Sequence, residues 1–301
     1  MSIRFIWKNR FISDNPSTAC DWIATQTGLS KLRVKDAMIK GAVWLSQKNG
    51  KKRKIRRAST KLRSGDRLEL YYDKTILKKI PPSAKHLRDF KRFSTWFKPP
   101  GLLSQGTDYG DHFAITRQAE KYFKNLRKVY PVHRLDREAG GIMLIAHEKK
   151  AAYRLSKLFK ERRVKKYYQA EVLGNLFKLG TEGVIDDQLF GKSALTRYKV
   201  VRYSPDTDTS IVILTPETGR LHQIRRHLDQ VGYPIMGDPR YGTGNKNTDG
   251  MKLCAVRLTF MCPFRNKKLD LRLEENFSAS AASFGYCIET QTHFLNNSLF
   301  R

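Results

Sequence analysis

The stretch Val132–Glu148, VHRLDREAGGIMLIAHE, decides how the rest of the chain is read. One acid, Asp136, stands between Arg134 and Arg137, just ahead of the pair Gly140-Gly141. The apolar run Ile142–Ala146 that follows has the length and composition of a buried strand. The chain carries 58 Lys and Arg against 28 Asp and Glu. A carboxylate flanked by guanidinium groups at the foot of such a strand is either an ordinary salt-bridge partner or an ionised acid held ready for chemistry on a polyanion. The local residues leave both open.

Composition narrows the choice. The formal charge of +30 implies self-repulsion that is tolerable mainly beside a strongly anionic partner, nucleic acid first and an anionic membrane surface second. With 40% hydrophobic and 11% aromatic residues, the chain is a folded protein and not a disordered basic one, and 301 residues suffice for two domains. No apolar run approaches the roughly 20 residues a membrane span needs, and no apolar leader follows Met1, so a membrane partner falls behind. Cys20, Cys254, Cys262 and Cys287 form no CxxC pair, which predicts packing cysteines and a reducing, cytoplasmic setting.

The charge is concentrated near the start. Residues 1–100 carry a net +18 and the remainder +12. The densest run, Lys48–Arg57, contains Lys51, Lys52, Arg53, Lys54, Arg56 and Arg57 between the apolar Gly41–Leu45 and the strand-like Asp66–Tyr72. Such a run is either a solvated loop or a phosphate-binding one. Ser17 is placed to cap a helix through Ala19, Trp22, Ile23 and Thr27 that Gly28 ends, and Ser30 to start a second through Val34, Ala37 and Met38 to Gly41. This order predicts a small α+β domain over residues 1–75. Residues 76–92, with Pro81-Pro82 and many basic side chains, read as a linker. From 93 to 301 the chain is strand-rich, with helical patterns at 149–160 and 220–231, and reads as an α+β catalytic domain.

Several common chemistries fail on spacing. Gly191-Lys192-Ser193 lacks the P-loop glycine five positions earlier, where Asp186 stands, and Ser104 lacks the first glycine of a GxSxG elbow, where Leu102 stands. The histidines form no zinc-binding pattern. Three segments bring polar groups to strand ends: His133–Asp136, Lys166–Ala170 and Thr218–His227. In the last, Gly219 is placed to end a strand and let a helix offer Arg220 and its first backbone N–H groups to an anion. An acid, a tyrosine and an arginine that converge suit chemistry on a base in a polyanion, although single residues of these types are more often structural.

The motifs then resemble, in order, those of the RluA-type pseudouridine synthases. HRLDREAGGIMLIA is similar to the HRLDxxTSGLLLxA signature. WFKPPGLLSQG, KKYYQAEVLG, SALTRYKVV and TGRLHQIRRHLDQVGYPIMGDPRYG resemble the family's other conserved segments. The likeness covers roughly residues 93–275, and GLSKLRVKDAMIKGAVWL with LRSGDRLEL resembles an S4-like RNA-binding domain. The resemblance implies an α+β fold: a catalytic domain on a mixed, mainly antiparallel sheet, with a small α+β S4-like domain before it. It implies an RNA pseudouridine synthase that detaches uracil, rotates it and rejoins it through C5, with no metal or other cofactor.

Carried over residue by residue, Asp136 matches the essential aspartate and Tyr168 the tyrosine that stacks on the base and helps proton transfer. Arg220 matches an arginine that salt-bridges Asp136 and keeps it ionised. His133 and Arg134, in the same loop, are expected to fix it and to contact phosphate, and Lys166, His222 and Gln223, with the six basic residues of the 51–57 run, are the other expected RNA contacts. Two departures stand out: Ala139-Gly140 replaces the usual Thr-Ser, removing a hydroxyl from the loop, and Arg226 adds a charge beside the site. The expected substrate is ribosomal RNA of the large-subunit (23S) type, with transfer RNA the alternative, and the enzyme is expected to be a cytoplasmic monomer that binds neither DNA nor membrane. A non-catalytic RNA- or ribosome-binding relative is the rival, though it would be free to lose Asp136, Tyr168 and Arg220.

Overall fold

The structure, a computed structural model, describes residues 3–47 and 50–273. The chain forms two units. The first comprises Met1–Pro82 and Leu103–Leu126, and the second Ser83–Leu102 and the chain from Arg127 onward. Residues 103–126, expected in the catalytic domain, thus belong with the N-terminal part.

The first unit runs β1 (Arg4–Arg10), α1 (Ala19–Thr27), α2 (Lys31–Ile39), β2 (Val43–Ser46), β3 (Arg53–Lys54), β4 (Arg67–Asp73) and α3 (Lys74–Lys78), with α4 (Ile115–Tyr122) in the inserted segment. Its sheet has the order β1-β4-β2-β3 and is antiparallel throughout. Alternation along β4 and β2 turns Leu68, Leu70, Val43 and Leu45 inward to meet Ile23, Val34 and Met38 of the helices. Thr18, not Ser17, caps α1, its hydroxyl accepting from the Asp21 N–H, while Gly28 takes the left-handed φ of +69° that ends the helix. Ser30 caps α2 as expected.

The second unit is built on a mixed, mainly antiparallel sheet. Its strands are β5 (Lys85–Asp89), β6 (Phe93–Lys98), β7 (Tyr130–Pro131), β8 (Gly140–Ala146), β9 (Lys165–Leu173), β10 (Glu182–Ile185), β11 (Thr196–Ser204), β12 (Thr209–Pro216), β13 (Leu253–Met261) and β14 (Lys268–Arg272). The main path is β10-β11-β12-β9-β13-β8-β6-β5, with β14 on β13 and β7 on β8. β5 pairs with β6, so part of the expected linker is strand; Leu87 packs against the core and His86 lies edge-on to Trp96. Helix α5 (Lys149–Lys160) seats Ala151, Leu155 and Leu158 over one half of the sheet, and α6 (Gln223–Gln230) seats Ile224 and Leu228 over the other. Free, buried Cys254 and Cys262 are packing residues here, as Cys20 is in the first unit, while Cys287 lies outside the described residues. No helix among the described residues is long and apolar enough to cross a membrane.

The seam between the two halves is the pairing of β8 with β13, which is parallel and brings Gly140 opposite Cys254 and Gly141 opposite Ala255. A Cβ on Gly141, whose φ is +123°, would overlap the backbone N and O of Ala255. Only glycine fits, for both conformation and space. The 132–139 loop leads into this seam, which is how Asp136 comes to stand over the sheet.

Candidate active site

Within the second unit lies a cleft of about 470 Å³, walled by the 132–136 loop, Lys166 and Tyr168 of β9, and the segment Thr218–Arg225. All three segments expected from the sequence therefore meet. Asp136 is half-buried, its side chain 20% exposed.

The loop that carries Asp136 is latched from below. Lys98, at the end of β6, has no exposed surface, and its Nζ donates to the carbonyls of Pro99, Leu102 and Arg137 at 3.1, 2.8 and 3.2 Å. The Arg137 carbonyl also accepts from the Gly101 N–H at 2.7 Å. Burial pushes the Lys98 ammonium down to about 7, opposed by the carboxylates of Glu138 and Asp136. Three carbonyls match the three donors of an ammonium. These bonds hold the loop without the hydroxyl lost at Ala139, whose side chain is instead buried in the apolar cluster beside Leu253.

His133 is the second latch. Its Nε2 accepts the Leu144 N–H at 2.9 Å, and its ring stacks on Phe159 at 4.3 Å. A backbone N–H can only donate, so Nε2 must be bare and the ring neutral. Burial, aided by Lys166, pushes its pKa down to about 3. Of the two roles expected of His133, the geometry leaves it fixing the loop, and the phosphate contact is corrected, because a buried neutral ring offers no cation to an anion. A group whose basicity is depressed on folding contributes nothing above its unfolded pKa near 6.5. It withdraws stability as pH falls from there toward 3, where the unfolded chain binds the extra proton. Denaturant stability of the wild type should fall by a few kcal/mol over that range, and His133→Gln should flatten that part of the profile.

The cation that pairs with Asp136 is Arg225, not Arg220. Arg225 is almost fully buried on α6, and its Nη1 lies 3.2 Å from Asp136 Oδ2. Its other edge is gripped by Asp238, which accepts from Nε at 2.7 Å and from Nη2 at 2.8 Å. Asp238 is wholly buried and also accepts the backbone N–H groups of Arg240 and Tyr241. Burial alone would raise its pKa, but Arg225 and the two N–H groups hold it below the ordinary carboxylate range. The bidentate fork fixes the guanidinium plane and aims the remaining nitrogen at Asp136. Arg220 points away, its Nε donating to the Ser193 carbonyl at 3.0 Å. The physical reason is that α6 starts three residues later than expected. His222 takes a left-handed φ of +53° as its N-cap, which leaves Arg220 in the preceding turn and swings Arg225 into the cleft.

Gln223 is likewise corrected. Its Oε1 accepts from Thr218 Oγ1 at 2.7 Å and Arg220 N at 3.0 Å, while Nε2 donates to the Leu195 carbonyl and Thr196 Oγ1. All of its hydrogen-bonding capacity apart from solvent is spent pinning the start of α6, so it is unavailable to RNA. His222 lines the cleft, with Nε2 3.9 Å from Asp136 Oδ2 and Nδ1 3.1 Å from the Tyr241 hydroxyl. Lys166 and Arg134 line it too. Tyr168 faces the same space, and burial, reinforced by the Asp136 carboxylate, drives its phenol well above its usual pKa. It is a neutral ring at physiological pH, suited to stacking and to donating a hydrogen bond and ill suited to acting as a phenolate base.

The basic run of the first unit is only partly free. Lys52 pairs with Glu69 at 2.9 Å and lies over the Trp44 ring, and Lys54 lies over the same ring and donates to the Thr107 carbonyl at 2.8 Å. Arg56 pairs with Asp111. The acids responsible are distant in sequence, and folding brings them back onto the run. Lys52 is exposed but paired, whereas Lys51, Arg53 and Arg57 are exposed and form no ion pair among the described residues.

Comparison with known proteins gives the family. A family model described as RNA pseudouridylate synthase matches residues 92–230. The dual-specificity RNA pseudouridine synthase RluA of Pasteurella multocida is 34% identical over 217 residues, 64% of this chain and 95% of that protein. Ribosomal large subunit pseudouridine synthase C of Vibrio cholerae is 31% identical over 192 residues, covering 58% of this chain and 60% of that one. The solved structure of human RNA pseudouridylate synthase domain containing 1 shares the fold, with a TM-score of 0.58 at 22% identity over 72% of this chain and 96% of that one. With its ordered motifs converging on one carboxylate-bearing cleft and a relative matched over nearly its whole length, this chain belongs to the RluA-type RNA pseudouridine synthases.

Proposed function

We propose that this enzyme isomerises a uridine of ribosomal RNA, with Asp136 as the essential carboxylate. The observation that carries the assignment is the half-buried Asp136 held by the fixed guanidinium of Arg225, beside a neutral Tyr168. The target uridine leaves its stack, at a cost of a few kcal/mol that is least in loops. Tyr168 then covers the uracil face while Asp136 faces the base and its ribose. The glycosidic N1–C1′ bond breaks, C5 bonds to C1′, and the C5 proton is lost as N1 regains one. Arg134, Lys166 and Arg220 at the cleft wall meet the flanking phosphates. Lys51, Arg53 and Arg57 add salt-dependent affinity from an S4-like unit, a reading supported by the order helix, helix, then strands around the basic run.

Ribosomal RNA is favoured by likeness to the large-subunit enzyme and by the separate basic unit. Transfer RNA is kept as the second reading because the Pasteurella relative is named as dual-specific. Pseudouridines mapped in ribosomal and transfer RNA from cells with and without the gene decide between them. The expected result is loss at a ribosomal position, restored by the wild type and not by Asp136→Asn. Loss confined to transfer RNA would overturn the substrate, and no loss in either would overturn the assignment.

A further inference from the structure

The connection between β10 and β11 contains a tight two-residue hairpin turn. Leu189 and Lys192 exchange backbone hydrogen bonds at 3.0 and 3.1 Å, and the two residues between them, Phe190 and Gly191, have φ of +55° and +68°. Positive φ at both central positions is the mark of a type I′ turn, whose first position favours Asn, Asp or Gly. A bulky aromatic there is a conformational outlier. Nor does Phe190 recover the cost by burial, since 60% of its surface is exposed.

Two further observations say where this ring stands. Arg226 lies with its guanidinium 4.0 Å from the Phe190 centroid. On α6, Arg226 falls one turn after His222, which lines the cleft, and directly follows Arg225, which holds Asp136. The segment that leaves the turn is tied to the cleft wall through its backbone. Arg220 Nε donates to the Ser193 carbonyl, Gln223 Nε2 to the Leu195 carbonyl, and the Leu195 N–H to Thr218 Oγ1. The side chain is thus exposed and backed by a cation, on a turn whose following residues, Ser193 and Leu195, are fastened to the elements that form the site.

We propose that Phe190, backed by Arg226, is a stacking platform for a nucleobase that flanks the target uridine. Neither residue lines the cleft itself; the i, i+4 relation of Arg226 to His222 is what puts the pair beside it, on the Arg220–His222 side. The ligand class follows from the chemistry: a flat π face accepts any base, and an adjacent guanidinium adds attraction to the ring and to the strand's phosphates. A strained aromatic kept in the open where Asn would suit the backbone is explained by what it touches, not by what it stabilises. The inference rests on the RNA reading above and extends it from the reacting nucleotide to its neighbour.

The test sets stability against binding. The full chain is titrated with a single-stranded, adenine-rich RNA and with an abasic strand of equal length. Wild type is expected to prefer the strand with bases by roughly ten-fold, the order of one stacked base, and Phe190→Asn to lose that preference. Because Asn suits the turn, the Asn variant should melt no lower than wild type, so the loss is not one of folding. Phe190→Trp should keep the preference, and Arg226→Gln should weaken it. An unchanged preference in Phe190→Asn overturns the platform. Tritium release from ribosomal RNA made with C5-tritiated uridine, measured on the same wild-type preparation, tests the proposed reaction separately.

Discussion

Asp136→Asn is expected to lower pseudouridine formation by a factor on the order of 10⁴ or more while changing RNA affinity little. The asparagine is isosteric, and its side-chain oxygen can still accept from Arg225 Nη1, so the loop held by Lys98 and His133 stays in place. What disappears is the negative charge beside the uracil and ribose. Phosphate contacts, which dominate affinity for RNA, lie on other side chains. Tritium release from C5-labelled RNA measures the first quantity and a filter-binding titration the second. Turnover near the wild-type rate would remove Asp136 from the chemistry.

Arg225→Met is expected to have the largest effect on stability. The substitution leaves Asp238, with no exposed surface, as an uncompensated buried carboxylate, and breaking one side of such a pair costs about 3–5 kcal/mol. Activity falls as well, because Asp136 loses its fixed cation. The two effects separate in the double variant Arg225→Met with Asp238→Asn. There the buried charge is removed and an acceptor remains for the Arg240 and Tyr241 N–H groups. Stability should largely return and activity should not. Arg220→Met should change stability by no more than about 0.5 kcal/mol, since its guanidinium donates to one exposed carbonyl. Chemical denaturation of the four proteins checks this. If Arg220→Met proved as disabling as Arg225→Met, the pairing inferred from sequence would stand after all.

The catalytic strands and the carboxylate were legible because they are local signals. An apolar run bounded by Gly140-Gly141 reads as the buried strand it is, and the 149–160 periodicity coincides with α5. Asp136, Tyr168, Arg134 and Lys166 share one cleft because Lys166 and Tyr168, two apart on β9, lie on one face of it, and the 134–136 loop leads into β8, which only β13 separates from β9. Residues that act through others were not legible. Lys98 stands in the motif-like WFKPPGLLSQG segment, but nothing there gives its three carbonyl partners, which include Arg137, 39 positions away. Asp238 lies 13 residues beyond Arg225 across a turn, and nothing in its own neighbourhood announces a bidentate pair.

Charge shows the same division. From sequence, the 51–57 run is a block of six cations, but Glu69 and Asp111 return through the fold to occupy Lys52 and Arg56. By itself the sequence determined the family motifs, the class of chemistry and the strand-rich second unit, and it singled out Asp136 as the candidate acid, because these depend on residue type and short-range period. Only the tertiary structure decided which arginine faces Asp136, which histidine and glutamine are latches and which cations remain free. Such choices turn on directions set by a helix beginning three residues later than its pattern suggests, and on partners dozens of positions apart.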